Sequence, residues 1–253
     1  TLLSLQPQGS NQFVPVGSSN WIYNGLAYNP EDNWLYGISQ HRGSSSNQDP
    51  CYPAGHLLQI DPVTGAVRDL GAVKNGGSSP FKDQNGARDR TLINTGVFYN
   101  GDLYVSNSST SGSRDIYKVV LPAVGSNNPT GTNRNFKGYS EDYAVLPEAP
   151  QYAWGIVSTG AYQELEFGYR DSNGRWVNSN GVYIERINLA TGKVDRWELS
   201  TGEKRANTGE SLEKKTTWGK AWTYGNGNLG FAQGGDSANQ ANPGVQISIT
   251  NPG

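Results

Sequence analysis

Along the chain, short alternating runs of apolar and polar residues are separated by Gly, Asn, Asp, Ser and Pro, the period-two pattern of β-strands joined by turns. Four of these runs share one design, in which a glycine-led strand passes through a polar turn into an aromatic second strand. Gly25-Leu26-Ala27-Tyr28-Asn29 leads to Trp34-Leu35-Tyr36-Gly37, and Gly96-Val97-Phe98-Tyr99 leads to Leu103-Tyr104-Val105. Gly155-Ile156-Val157 with Leu165-Glu166-Phe167, and Gly219-Lys220-Ala221-Trp222 with Leu229-Gly230-Phe231, complete the set. Recurrence of one supersecondary unit along a chain marks a repeat architecture.

A second hairpin follows each of the first three. Leu57-Leu58-Gln59-Ile60 turns at Asp61-Pro62-Val63-Thr64-Gly65 into Ala66-Val67-Arg68-Asp69-Leu70, and Val182 to Ile187 turns at Ala190-Thr191-Gly192 into Val194-Asp195-Arg196-Trp197. Ile116 to Leu121 with Tyr143-Ala144-Val145-Leu146 reads as a looser copy. Four strands per unit predict an all-β fold, a β-propeller of four-stranded antiparallel blades, four or five in number. Leu2 to Leu5, Phe13 to Val16 and Val245 to Ile249 read as strands with which the two termini share a blade. The lead glycines at 25, 96, 155 and 219 are expected where the first strands of neighbouring blades approach closely.

Turns within hairpins are short, whereas Ser39 to Gly55, Lys74 to Thr91, Tyr169 to Gly181, Thr201 to Thr217 and Gln233 to Gly244 are long. Blade topology places the long connections on one face, where a binding surface is expected.

Composition narrows the partners. With 20 Lys and Arg against 22 Asp and Glu, scattered rather than striped, the 253 residues carry no nucleic-acid footprint. No apolar run approaches the roughly 20 residues of a membrane span. A chain of this length buries about 70–75% of its unfolded surface without a disulfide framework, and residues 1–253 are read as a single domain. Abundant Gly, Tyr and Trp, with no Met and one Cys, suit a secreted or surface protein from which any leader has been removed. Cys51 is left open as a quiet thiol, a partner for a cysteine elsewhere, or a reactive group.

The run from Tyr23 to Gly37, with Ile60-Asp61-Pro62-Val63-Thr64-Gly65, resembles propeller-like repeats of Gram-positive, particularly actinobacterial, surface proteins, and Trp218 to Phe231 looks like a closing element of the same group. That family is best described as a domain of unknown function. The resemblance implies a propeller at the outer end of a longer, wall-anchored adhesin, extracellular and monomeric as a domain.

Catalytic and metal signatures are thin. His41, Cys51 and His56 could ligate zinc, but spacings of 10 and 5 residues match no compact zinc motif. Asp171-Ser172-Asn173-Gly174-Arg175-Trp176 shares features with a calcium loop while lacking its further carboxylates, so calcium is a minor alternative to no cofactor. Glu164 and Glu166 share one strand face about 7 Å apart. They point in parallel, whereas glycosidase carboxylates flank a bond from two sides.

Aromatics are the stronger lead. Trp21, Trp154, Trp176 and Trp218, with Tyr23, Tyr52 and Tyr152, fall at or beside the long connections, where rings with a polar edge suit sugar stacking or interface anchoring. Trp154 and Trp218, each preceding a lead glycine, are read as inter-blade packing. The expected ligand-binding residues are Trp21, Tyr23, His41, Arg42, Trp176 and Lys220, and the expected ligand is a glycan or a protein of a host or neighbouring cell. A glycoside hydrolase or polysaccharide lyase at the channel mouth is the alternative, and a purely structural tip the third reading.

Overall fold

The computed structural model describes residues 2–5, 13–40, 49–81, 93–107, 114–158, 168–170, 176–178, 182–199, 218–224, 227–232 and 244–249. Among them every regular element is a strand. The fold is all-β, a β-propeller of antiparallel blades, and the chain divides into two compact units: Thr1–Asn107 with Tyr117–Asn133, and Ser108–Ile116 with Arg134–Gly253.

In the first unit, β1 (Leu2–Leu5) pairs with β2 (Phe13–Val16), and β3 (Tyr23–Asn29), β4 (Trp34–Ser39), β5 (His56–Ile60) and β6 (Val67–Ala72) form a four-stranded sheet in chain order. β3 buries Gly25, Ala27 and Asn29 and exposes the residues between them. β4 is buried throughout its last four residues, as a strand covered on both faces must be. The next sheet runs β7 (Ile93–Tyr99), β8 (Asp102–Asn107), β9 (Arg114–Val120) and β10 (Thr130–Gly138), and the division between units falls within β9 and β10. Ile38, Leu57, Phe81, Ile93, Leu103 and Tyr117 anchor this unit's core. Tyr36 and Phe98 pack ring to ring at 5.4 Å, and burial raises the Tyr36 phenol far above its ordinary value.

Two lead glycines meet as expected. A Cβ at Gly96 would overlap the carbonyl oxygen of Gly25, which itself has φ +62°, so β3 and β7 approach at a distance only glycine permits. The other two do not share that role. Gly155 lies on a second strand, where a Cβ would overlap Ser140, and Gly219 is exposed just before its strand.

In the second unit, β11 (Ala144–Leu146), β12 (Ala149–Ser158), β15 (Val182–Asn188) and β16 (Val194–Leu199) form a sheet in that order, with β13 (Gly168–Arg170) and β14 (Trp176–Asn178) as a separate hairpin between β12 and β15. This corrects one expected pairing. The segment from Ile116 belongs to β9 and pairs with β8 and β10, while Ala144–Leu146 pairs with β12 through a tight turn at Pro147 and Glu148. β12 pairs with β11 and β15, and Leu165-Glu166-Phe167, the partner expected for Gly155-Ile156-Val157, lies outside the described residues. The last sheet is β17 (Lys220–Thr223), β18 (Asn228–Ala232) and β19 (Gly244–Ser248). Trp154, Ile156, Ile184, Trp218, Leu229 and Phe231 form the core between these sheets, so Trp154 and Trp218 are packing residues. They are not in equivalent positions, because Trp154 is on β12, second in its sheet, and Trp218 precedes β17, first in its own.

Candidate functional site

The connection from β4 to β5 and the segment entering β3 bring four chemically distinct side chains together in the first unit. The Trp21 and Tyr52 rings meet edge to face, with centroids 5.2 Å apart and an interplanar angle of 88°. The His56 imidazole lies 6.3 Å from Trp21 on a tilted plane. Asn20 donates to the Tyr52 hydroxyl oxygen at 3.0 Å.

His56 is fixed from behind. Its Nδ1 lies 3.0 and 2.9 Å from the two Asp69 carboxylate oxygens, and Asp69 also accepts the Gly71 N–H at 2.8 Å. A carboxylate offers only acceptors, so Nδ1 carries the proton and Nε2 of the neutral ring is left with a lone pair. A bulge between His56 and Leu58 offsets the β5–β6 register, so that Asp69, which pairs with Leu58, still reaches the imidazole at the end of the strand.

Ser39 holds the loop carrying Tyr52 and His56. The fully buried Ser39 hydroxyl donates to the Pro53 carbonyl at 2.7 Å and accepts the His56 N–H at 2.8 Å, while its own carbonyl accepts the Gly55 N–H at 2.9 Å. Asp49 caps the turn ahead of Tyr52 by accepting the Cys51 N–H at 3.0 Å. Two rings, a hydroxyl, an amide and an imidazole acceptor set on a hydrogen-bonded frame suit stacking on an apolar sugar face while its hydroxyls are hydrogen-bonded. Asp69 is spoken for by His56 and Gly71, so it orients the imidazole rather than acting as a free acid or base.

The repeat of unknown function DUF6923 matches residues 2–253, nearly the whole chain. The chain belongs to the DUF6923 repeat family. No curated protein matches this DUF6923 chain. Among solved structures it is similar to a GH43_1 enzyme from Xanthomonas citri, at 15% identity and TM-score 0.50 over 85% of this chain and 67% of that one. It is also similar to CoXyl43, a GH43 β-xylosidase/α-arabinofuranosidase from a compost microbial metagenome (16% identity, TM-score 0.49, 87% and 74% covered), and to the periplasmic gluconolactonase PpgL of Pseudomonas aeruginosa (11%, 0.40, 89% and 72%). The likeness to the first is one of fold.

Of the residues expected from sequence to bind ligand, Trp21 is central to this DUF6923 site. Tyr23 is on β3, half-buried beside Gly37, and burial raises its phenol above the ordinary value. Lys220 is exposed at the start of β17 in the other unit. Trp176 begins β14, paired with Arg170. His41 and Arg42 lie outside the described residues, as do Glu164, Glu166 and most of the Asp171–Trp176 turn. Cys51 is an exposed free thiol beside Tyr52. Among the described residues no group of three or more metal-ligating side chains is found, and no helix is long and apolar enough to cross a membrane. Sequence reasoning missed Asn20, Ser39 and Asp69. Nothing in the linear order marks them, because Ser39 and Asp69 reach His56 across β-strand registers.

Proposed function

We propose that this protein is a recognition module that binds a glycan without covalent chemistry, through Trp21, Tyr52 and the His56–Asp69 pair. The observation that carries the reading is the edge-to-face Trp21–Tyr52 pair set beside an imidazole whose Nδ1 is held by Asp69, 2.9 Å away. Trp21 supplies the stacking surface. Tyr52, Asn20 and His56 Nε2 supply directional hydrogen bonds, and the buried Ser39 keeps the loop in place before ligand arrives. This role fits an extracellular or wall-anchored adhesin that recognises carbohydrate on a host or neighbouring cell.

Screening the 253-residue chain on a glycan array and measuring the best ligand by calorimetry tests the proposal. Trp21→Ala should weaken binding at least tenfold, and His56→Ala by several-fold, with thermal unfolding close to that of the parent. An array that stays blank, or turnover of the glycan rather than binding, would overturn it.

A further inference from the structure

The three-stranded sheet of the second unit has two unlike faces. Ala221, Leu229, Phe231, Val245 and Ile247 turn into the core. Strand alternation puts Lys220, Trp222 and Tyr224 on the opposite face, and the register extends it across the sheet: Trp222 is opposite Gly230, which is opposite Gln246, and Asn228 is opposite Ser248. The Tyr224 N–H donates to the Asn228 carbonyl at 2.9 Å, which keeps Tyr224 in line with the strand.

Gly230 decides how Trp222 lies. A Cβ there would overlap the indole, so the ring is laid on the sheet surface over a glycine. Trp222 and Tyr224 are each 37% exposed, with ring centroids 6.1 Å apart at 62°. Lys220, Gln246 and Ser248 around them are exposed. Among the described residues of this face Lys220 is the one cation, with no ion pair found for it, and the nearest described carboxylate, Asp142, accepts the Ala221 N–H at 2.9 Å along the strand edge. Two residues along a strand span about 7 Å, a separation a lysine side chain and one sugar ring bridge together.

We propose that this face is a second glycan-binding surface, for an acidic saccharide whose ring stacks on Trp222 and whose carboxylate pairs with Lys220. Gln246 and Ser248 are placed to hydrogen-bond ring hydroxyls. The face favours a sugar over a protein partner because, among the described residues, its apolar area is one flat indole with one neighbouring ring, set among amide, hydroxyl and ammonium groups, without the contiguous apolar centre of a protein interface. The lone cation selects an anionic ligand. None of this depends on the Trp21 cluster, which lies in the other unit.

Affinity electrophoresis of the 253-residue chain in gels containing polygalacturonate or neutral dextran provides the test. The parent should be retarded by polygalacturonate and not by dextran. Trp222→Ala should weaken retardation at least tenfold, Lys220→Gln several-fold with a shallower salt dependence, and Gln246→Ala several-fold, while Trp21→Ala leaves it unchanged. Because Gln246 is exposed on a strand edge, its variant reads the surface even if Trp222→Ala fails to fold. Absence of retardation, equal retardation by dextran, indifference to the Trp222 and Lys220 changes, or loss with Trp21→Ala would each overturn the inference. A failed glycan array with intact polygalacturonate binding would instead remove only the Trp21 proposal.

Discussion

Two buried polar residues show how single side chains hold this protein together. Glu185, with no exposed surface, accepts from Arg196 at 2.7 Å, from the Tyr139 N–H at 2.9 Å and from the Tyr143 hydroxyl. Both of its oxygens face donors, so the cost of burying this side chain is offset by hydrogen bonds and an ion pair. Glu185→Ala removes the buried acceptor shared by the Arg196 guanidinium and the Tyr143 hydroxyl and should cost about 3 kcal/mol in urea unfolding. A loss below 1 kcal/mol would show that water replaces the carboxylate. Ser39 plays the corresponding part at the candidate site. Ser39→Ala leaves the Pro53 carbonyl and the His56 N–H without their buried partner, and should cost about 1–3 kcal/mol of stability and weaken glycan binding several-fold. Unchanged binding in a folded Ser39→Ala protein would mean that the loop does not need this anchor.

At the scale of elements, what was legible was local. Asp61 Oδ1 accepts the N–H groups of Val63 and Thr64, and Asn188 Oδ1 accepts those of Ala190 and Thr191. Both turns close on a glycine of positive φ, Gly65 and Gly192, so two hairpins distant in sequence share one mechanism that their residues announce. The Gly25–Gly96 approach could be read the same way. Gly96→Ala should cost about 3 kcal/mol or more, because the clash is with backbone that cannot rotate away, and a soluble variant with parental unfolding midpoint would refute the close approach. The sheet around β12 could not be read from the sequence, since β15 reaches β12 only after the inserted β13–β14 hairpin, and spacing alone assigns the nearer apolar run. Electrostatics adds a test here. The hydrogen bond from Arg186, then Lys193, holds Asp195 below the ordinary carboxylate range. A depressed folded value means the unfolded chain takes up the proton first, so this stabilisation is full above the unfolded value of 3.8 and is lost as pH falls through the folded one. Asp195→Asn should therefore lose less stability than the parent between about pH 5 and about pH 3 in urea titrations. Equal losses would assign the acid sensitivity elsewhere.

For the molecule as a whole, repetition and turn chemistry carried the fold class, whereas the site had to come from three dimensions. Trp21 stood out by residue type alone, but its partners Asn20, Tyr52, His56 and Asp69 are assembled by the β4–β5 connection and the β5–β6 register. The same holds in the second unit, where Lys220 acquires meaning only once Trp222 lies across Gly230. Both surfaces follow one physical scheme, an indole held by the frame with polar groups at its edge. In the proposed recognition, the Trp21 indole stacks on a sugar ring. The most direct test of this contact is an NMR titration of the 15N-indole-labelled chain with the best array glycan, the seven tryptophan resonances being assigned by single Trp→Phe variants. The Trp21 indole resonance should move progressively with ligand and the buried Trp154 and Trp218 resonances should stay in place. Saturable binding that leaves the Trp21 resonance unmoved would contradict the account.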